Sequence, residues 1–178
     1  ATSRARDIVI KLNGLGREKP EHAAPEAPFA ILPIVEETRS LLLASLKGIE
    51  IVIETGAGAA DLQVRGDNGG FQQVLVNLCV NSSHAIGERR DGRIIIRTIK
   101  GADERTVLVS VIDNGGGIKP DVLQRIFEPF FTTKEVGKGT GLGLAMVRSI
   151  ITKMGGTIDC QSELGTGTTF TLTLPLCV

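Results

Sequence analysis

Two strand-like runs, Arg93–Lys100 and Thr106–Ile112, follow one another with only a Gly101–Arg105 turn between them. So short a connection joins antiparallel strands, because a parallel crossover needs roughly a dozen residues or more. The other runs behave differently. Ile49–Glu54 and Leu62–Arg65 are separated from this pair by a stretch in which Phe71, Val74, Leu75, Leu78, Ser82, Ala85 and Ile86 recur at helical spacing. A second helical stretch, Leu144–Met154, precedes Thr157–Gln161 and Thr168–Leu174, and a third, Val35–Lys47, lies ahead of them all and stops at Gly48. Helices between some strands and none between others predict an α/β (α+β) two-layer sandwich: a mixed sheet of about five strands with three main helices on one face. In the last run Phe170, Leu172 and Leu174 alternate with Thr169, Thr171 and Thr173, giving one buried and one exposed face.

Upstream, Ile8, Leu12 and Leu15 form the apolar stripe of a helix over Arg4–Arg17, and a proline-containing polar stretch reads as a linker to residue 30. The chain of 178 residues, 42% hydrophobic, suits one domain with a short appendage. Twenty basic residues balance 20 acidic ones, aromatics reach 3%, and Trp and Tyr are missing, which argues against a nucleic-acid binder. Cys79, Cys160 and Cys177 lack zinc spacing and read as reduced residues of a cytosolic domain. No apolar run approaches the ~20 residues that span a bilayer, and the first residues lack the pattern of a secretory signal, so no membrane insertion is expected of this stretch.

Four clusters in this framework bear on chemistry. On the long helix Asn77, Asn81 and His84 fall at i, i+4 and i+7 on one stripe beside the apolar face. Such a stripe either faces solvent or holds a ligand, and an amide oxygen suits a hard cation such as Mg2+ that completes its shell with phosphate and water. Asp113-Asn114-Gly115-Gly116-Gly117-Ile118 stands where an apolar strand ends. It reads equally as a turn or as a site where a carboxylate, an acceptor only, selects an exocyclic amine while glycines admit a planar ring. Gly137-Lys138-Gly139-Thr140-Gly141-Leu142-Gly143-Leu144 runs into a helix, and its amides, the helix's positive end and Lys138 can cradle phosphate. Neither P-loop spacing nor a strand leading directly into it, as a dinucleotide fold needs, is present. Gly165-Thr166-Gly167-Thr168 fits a hairpin turn. Between the second and third clusters, Phe127, Phe130 and Phe131 read either as ordinary core or, on a glycine-flanked loop, more readily as apolar anchors for a mobile lid.

In this order, over residues 31–178, the clusters resemble the sequence boxes of sensor histidine kinases. Asn77-Leu78-Cys79-Val80-Asn81-Ser82-Ser83-His84-Ala85 resembles the N box, Asp113–Ile118 the first glycine box, Phe127–Phe131 the F box and Gly139–Leu144 the second glycine box. Gly165–Phe170 resembles the segment that closes the site. The Phe-Glu-Pro-Phe-Phe-Thr-Thr-Lys stretch is most similar to nitrogen-regulation-type and hybrid kinases. The resemblance implies the Bergerat fold shared with gyrase and heat-shock chaperone ATPases, with ATP and Mg2+ as its cofactors. It implies that Asp113 binds the adenine amino group beside Gly115, Gly117 and Ile118, that Asn81 coordinates Mg2+, and that Asn77 lines the phosphate pocket. Gly139, Thr140, Gly141, Leu142, Gly143 and Leu144 then shape the loop over the triphosphate, Thr168 helps to bind adenine, through water, and His84 and Lys138 contact phosphate. Asn77, His84 and Lys138 become the catalytic candidates.

Two departures bear on mechanism. The chaperone and gyrase relatives carry a water-activating glutamate where Asn77 stands, and an amide cannot take the proton, so efficient self-contained hydrolysis is not expected. Histidine kinases phosphorylate a histidine of a separate helical hairpin, in a His-Glu-x-x-x-Pro motif. His22 lies in Glu21-His22-Ala23-Ala24-Pro25, with no acid after it. The expectation is therefore a piece of a longer chain: 1–17 ends the hairpin's second helix, 18–30 links, and 31–178 is the catalytic domain. It would pass the γ-phosphoryl group of Mg-ATP to a histidine on the dimerisation domain of a homodimeric parent, for onward transfer to a response regulator or receiver domain. The domain is expected in the cytoplasm, also where the parent is anchored in a membrane. The rival readings are an autonomous ATPase and a degenerate kinase acting as a binding module.

Overall fold

The structure, a computed structural model, describes residues 27–133 and 140–177. Its first part runs β1 (Pro28–Ala30), α1 (Ile31–Leu43), β2 (Glu50–Thr55), a 3-10 turn (Ala59–Asp61), β3 (Gln63–Arg65), α2 (Asn68–Ile86) and β4 (Arg93–Lys100). Then follow β5 (Thr106–Asp113), α3 (Pro120–Leu123), α4 (Gly143–Lys153), β6 (Thr157–Glu163) and β7 (Gly167–Pro175). The predicted helix over 4–17 lies outside the described residues.

Five strands form one mixed sheet in the order β2-β4-β5-β7-β6. β2 runs parallel to β4 across the long α2 connection, and the remaining neighbours are antiparallel. The pleat decides which side is covered. Along β5 burial alternates residue by residue, with Val107, Val109, Val111 and Asp113 turned to the helices. On β7, Thr168, Phe170, Leu172 and Leu174 are the buried set, while Thr171 on the opposite face bonds Ser110 at 3.1 Å. Helix α2 lies on β4, β5 and β7 with α1 and α4 on either flank. That central position explains why it is buried almost all round, from Phe71 to Ile86. Each such large apolar side chain contributes about 1.5–3 kcal/mol on leaving water.

The structure departs from the sequence reading at α1, which spans Ile31–Leu43 where Val35–Lys47 was expected, and at the two places that follow. Pro28–Ala30, which read as linker, pairs antiparallel with β3, and Phe29 packs its ring on Phe71 at 5.8 Å. The short strand near Leu62–Arg65 therefore belongs to this two-stranded ribbon and not to the main sheet. Helix α2 also begins at Asn68, ahead of Phe71, because packing outweighs the poor helix propensity of Gly69 and Gly70.

Candidate functional site

The site is built where β5 ends beneath the last turns of α2. Asp113 closes β5 with its side chain on the helix-covered face, and only 6% of it is exposed. A buried carboxylate is costly unless hydrogen bonds compensate. Here Ser82 Oγ donates to Asp113 Oδ2 at 2.9 Å, and the Gly115 amide donates to Oδ1 at 2.9 Å. Burial pushes the carboxyl above its ordinary value, while Gly115 N–H, the Ser82 hydroxyl and Thr168 N–H pull it back. Asp113 thus stands as a fixed acceptor with no side-chain cation bonded to it among the described residues.

The glycines around it permit contacts that a side chain would block. The Gly116 amide donates to the Ala85 carbonyl at 3.0 Å, holding the loop against the end of α2. Gly117 has φ +71°, and a Cβ there would fall on the Glu163 carbonyl. At Gly167 a Cβ would fall on the carbonyl of Asp113 and within 3.0 Å of Asn114 Cα. The second cluster and the hairpin cluster, distant in sequence, are therefore packed backbone to backbone. Thr168 is the cross-strand partner of Asp113, and Ser162 is the partner of Thr168, so the three form one row across the sheet. Ser162 Oγ accepts from Ile118 N–H at 2.8 Å, donates to Gly167 O at 2.9 Å and lies 2.9 Å from Thr168 Oγ1.

The amide stripe of α2 borders this row. Asn81 is the residue just before Ser82; it is half-buried, and its amide makes no hydrogen bond among the described residues. Asn77, one turn earlier, is 7% exposed and donates from Nδ2 to Gln73 O at 3.0 Å. Its Oδ1 lies 3.6 Å from the point a Gly143 Cβ would occupy, at the first residue of α4. The stripe thus reaches the helix end to which the glycine loop leads, where positive partial charge favours anions. His84 is exposed in the last turn of α2. Leu144 is half-buried against the core, Leu142 is 43% exposed, and Thr140 Oγ1 accepts weakly from Leu142 N–H at 3.4 Å. Lys138 and Gly139 lie outside the described residues.

The phenylalanine cluster divides its work. Phe127 meets Phe170 of the core edge-on at 6.5 Å, and Phe131 lies 4.5 Å beneath the Arg125 guanidinium. Phe130 is 75% exposed at φ +66°, and its N–H donates to Gly141 O at 2.9 Å, tying the start of the loop to its end. Two residues of the site carried no functional reading in the sequence, Ser82 and Ser162. A serine on the core face of α2 does signal a buried partner. For Ser162 the signal lies only in strand register.

A mixed sheet with a buried carboxylate at a strand end, glycine turns packed around it, and an amide stripe leading to a helix N-terminus defines a Bergerat-type nucleotide domain. The chain belongs to the family of histidine kinase-, DNA gyrase B- and HSP90-like ATPases, whose pattern matches residues 66–178. It is 49% identical over 186 aligned positions to the sensor kinase CckA of Brucella abortus (strain 2308), covering 97% of this chain and 19% of that protein. It is 38% identical over 158 positions to the sensor histidine kinase ZraS of Salmonella typhi, covering 89% of this chain and 33% of the relative. The chain thus spans about a fifth to a third of these relatives. Among solved structures, the catalytic domain of histidine kinase ThkA matches with a TM-score of 0.73 at 33% identity, over 85% of this chain and 96% of that one. A structure of ThkA in complex with response regulator protein TrrA matches with a TM-score of 0.71 at 29% identity, covering 98% of this chain and 48% of that one. The cysteines are free, and burial pushes the Cys79 thiol up to about 12. No described helix is long and apolar enough to cross a membrane.

Proposed function

We propose that this domain binds Mg-ATP and delivers the γ-phosphoryl group to a histidine on the dimerisation domain of its parent kinase, for transfer to a response regulator. The observation that carries the reading is the Ser82–Asp113 bond at 2.9 Å, which brings the acceptor for a purine amine next to the residue after Asn81. Base recognition and the amide stripe would then adjoin each other along α2. The described residues hold no group of three His, Cys, Asp or Glu able to chelate an ion. Asn81 nonetheless fits Mg2+: its amide oxygen is uncommitted among the described residues, and Mg2+ takes few protein ligands where phosphates supply the rest. Bound there, the ion would offset phosphate charge.

Asn77 and the N-terminus of α4 face the phosphate end, where catalysis is chiefly positioning and charge stabilisation. Exposed Phe130 and Leu142 flank that end and offer an apolar surface to the helix bearing the phosphoacceptor. A homodimeric parent and a cytoplasmic position for the domain belong to the same reading. The test is transfer in trans: purified chain, labelled ATP and Mg2+, with the histidine-bearing hairpin of the same protein. Label on that histidine, with little phosphate release from the chain alone, is expected. Steady release by the chain alone would instead mark an autonomous ATPase, and absence of both would mark a binding module.

A further inference from the structure

We propose that the face of the main sheet turned away from the helices is an interface between two copies of this chain, paired about a two-fold axis parallel to the strands. Side chains alternate along a strand, so strand register sorts that face into rows. Val52, Ile95, Ile112, Thr169 and Gln161 form one row from β2 to β6, and Glu54, Arg97, Ser110, Thr171 and Asp159 form the next. Beyond the first row, toward the end of β5, Arg93 stands on β4 and Glu163 on β6. A groove of about 490 Å3 takes in both of these side chains together with Ile95, Ile112 and Thr169.

The charges on this face are segregated. β4 carries the cations Arg93 and Arg97, and β6 carries the anions Asp159 and Glu163. Each arginine holds a β2 carboxylate, Arg93 with Glu50 at 3.2 Å and Arg97 with Glu54 at 2.8 Å. Both still show close to half of their side-chain surface to solvent, 47% and 45%, and a guanidinium has N–H donors to share. Asp159 and Glu163 are exposed and have no ion-pair partner among the described residues. The strand order β4-β5-β7-β6 decides what such a face fits. A two-fold axis midway between β5 and β7 lays β4 of one copy over β6 of the other and keeps each row opposite itself. Arg93 then meets Glu163 of the second copy, Arg97 meets Asp159, and symmetry makes each pair twice. Between them Ile112 lies over Thr169, in an aligned packing of two sheets about 10 Å apart. An overlap of four strands by seven residues measures about 19 by 23 Å, roughly 900 Å2 over both copies, the range of weak association. Asp113 turns to the opposite face, so the pairing neither uses nor covers the proposed nucleotide site.

Analytical ultracentrifugation of the purified chain tests this. The unaltered chain should show a monomer–dimer equilibrium that weakens as salt rises. Arg97→Glu and Asp159→Arg each set like charges opposite one another twice, and each should weaken self-association more than tenfold. Both positions are exposed, so both variants should fold, which circular dichroism verifies. Mixed in equal amounts, the two variants should associate again. Each introduced charge then faces its opposite, while the unaltered Arg97 of one copy still meets the unaltered Asp159 of the other. The double variant should recover dimers for the same reason. A chain that stays monomeric at about millimolar concentration overturns the proposal, and the face then belongs to another partner or to solvent. Self-association that persists in both single variants, or a mixture of them that stays monomeric, overturns it as well.

Discussion

A methyl group on Gly115 would drive the loop after β5 away from the end of α2. Its Cβ would lie 2.7 Å from Ala85 C, 2.8 Å from Ala85 Cβ and 2.9 Å from Ala85 O. Ordinary contact begins near 3.4 Å, so something must yield by about 0.7 Å. The last turn of α2 is anchored through buried Ser82 and Ile86, which leaves the loop to move. The Gly115 amide now donates to Asp113 Oδ1 at 2.9 Å, and a retreat of that size carries it beyond hydrogen-bond range. Losing a hydrogen bond to a charged group costs about 1.5–3 kcal/mol, and overpacking adds about 1–3 kcal/mol. A total of about 2.5–6 kcal/mol stays below the upper range of domain stability. Gly115→Ala should therefore fold but melt about 10 °C lower. ATP affinity should drop more than tenfold, because Asp113 loses one of its three fixed donors. Gly116→Ala is the matched control. The nearest neighbour of its Cβ is Ala85 O at 3.8 Å, and neither glycine lies at positive φ. Scanning calorimetry and ATP titration of the two proteins decide the matter. If they melt together and bind ATP alike, the loop is not held as described.

Nucleotide affinity should fall in acid as Asp113, held above its ordinary carboxyl value by burial, takes a proton and ceases to be a pure acceptor. Ser82→Ala removes a donor that favours the ionised form and should move that loss to higher pH; identical pH profiles of ATP affinity for the two proteins would contradict this. The effect on the unliganded chain has the opposite sign. Between the ordinary carboxyl value and the raised one, the folded chain keeps a proton that the unfolded chain lacks, so Asp113's contribution to stability declines as pH rises through that window. Asn81→Ala should weaken Mg-ATP far more than adenosine, and equal losses by calorimetry would remove Asn81 from the metal.

What could be read from sequence is what repeats locally. The i, i+4 spacing of Asn77 and Asn81, the alternation of β7, and the Asp-Asn-Gly turn after an apolar strand all lie within a few residues. The join between Gly167 and Asp113 spans the β5–β7 pairing, and the three bonds of Ser162 depend on its register with Thr168. No local pattern encodes either. The same limit explains β1. A three-residue strand starting at Pro28 has no alternation of its own and exists because β3 and Phe71 receive it. Ser82 falls between these cases: its place on the core face of α2 was legible, but its partner, 31 residues on in the chain, was not.

On the proposed function, Asn77 decides how the site treats its nucleotide. Its nitrogen is held by Gln73 O, which leaves the oxygen turned toward Gly143 at the head of α4. A carboxylate in that place could take a proton from water; an amide oxygen is far too weak a base. On that reading the described residues would hold and orient a triphosphate while offering no base at Asn77 for its hydrolysis. The proposed function would have the attacking group, and whatever removes its proton, arrive with a partner. Exposed Phe130, bonded through its N–H to Gly141 O, and exposed Leu142 beside that glycine would on the proposed function let an incoming surface displace water from the phosphate end. On the proposed function docking and chemistry would be one event: without the partner the nucleotide would wait intact, and with it the transfer would have both its acceptor and its dry environment.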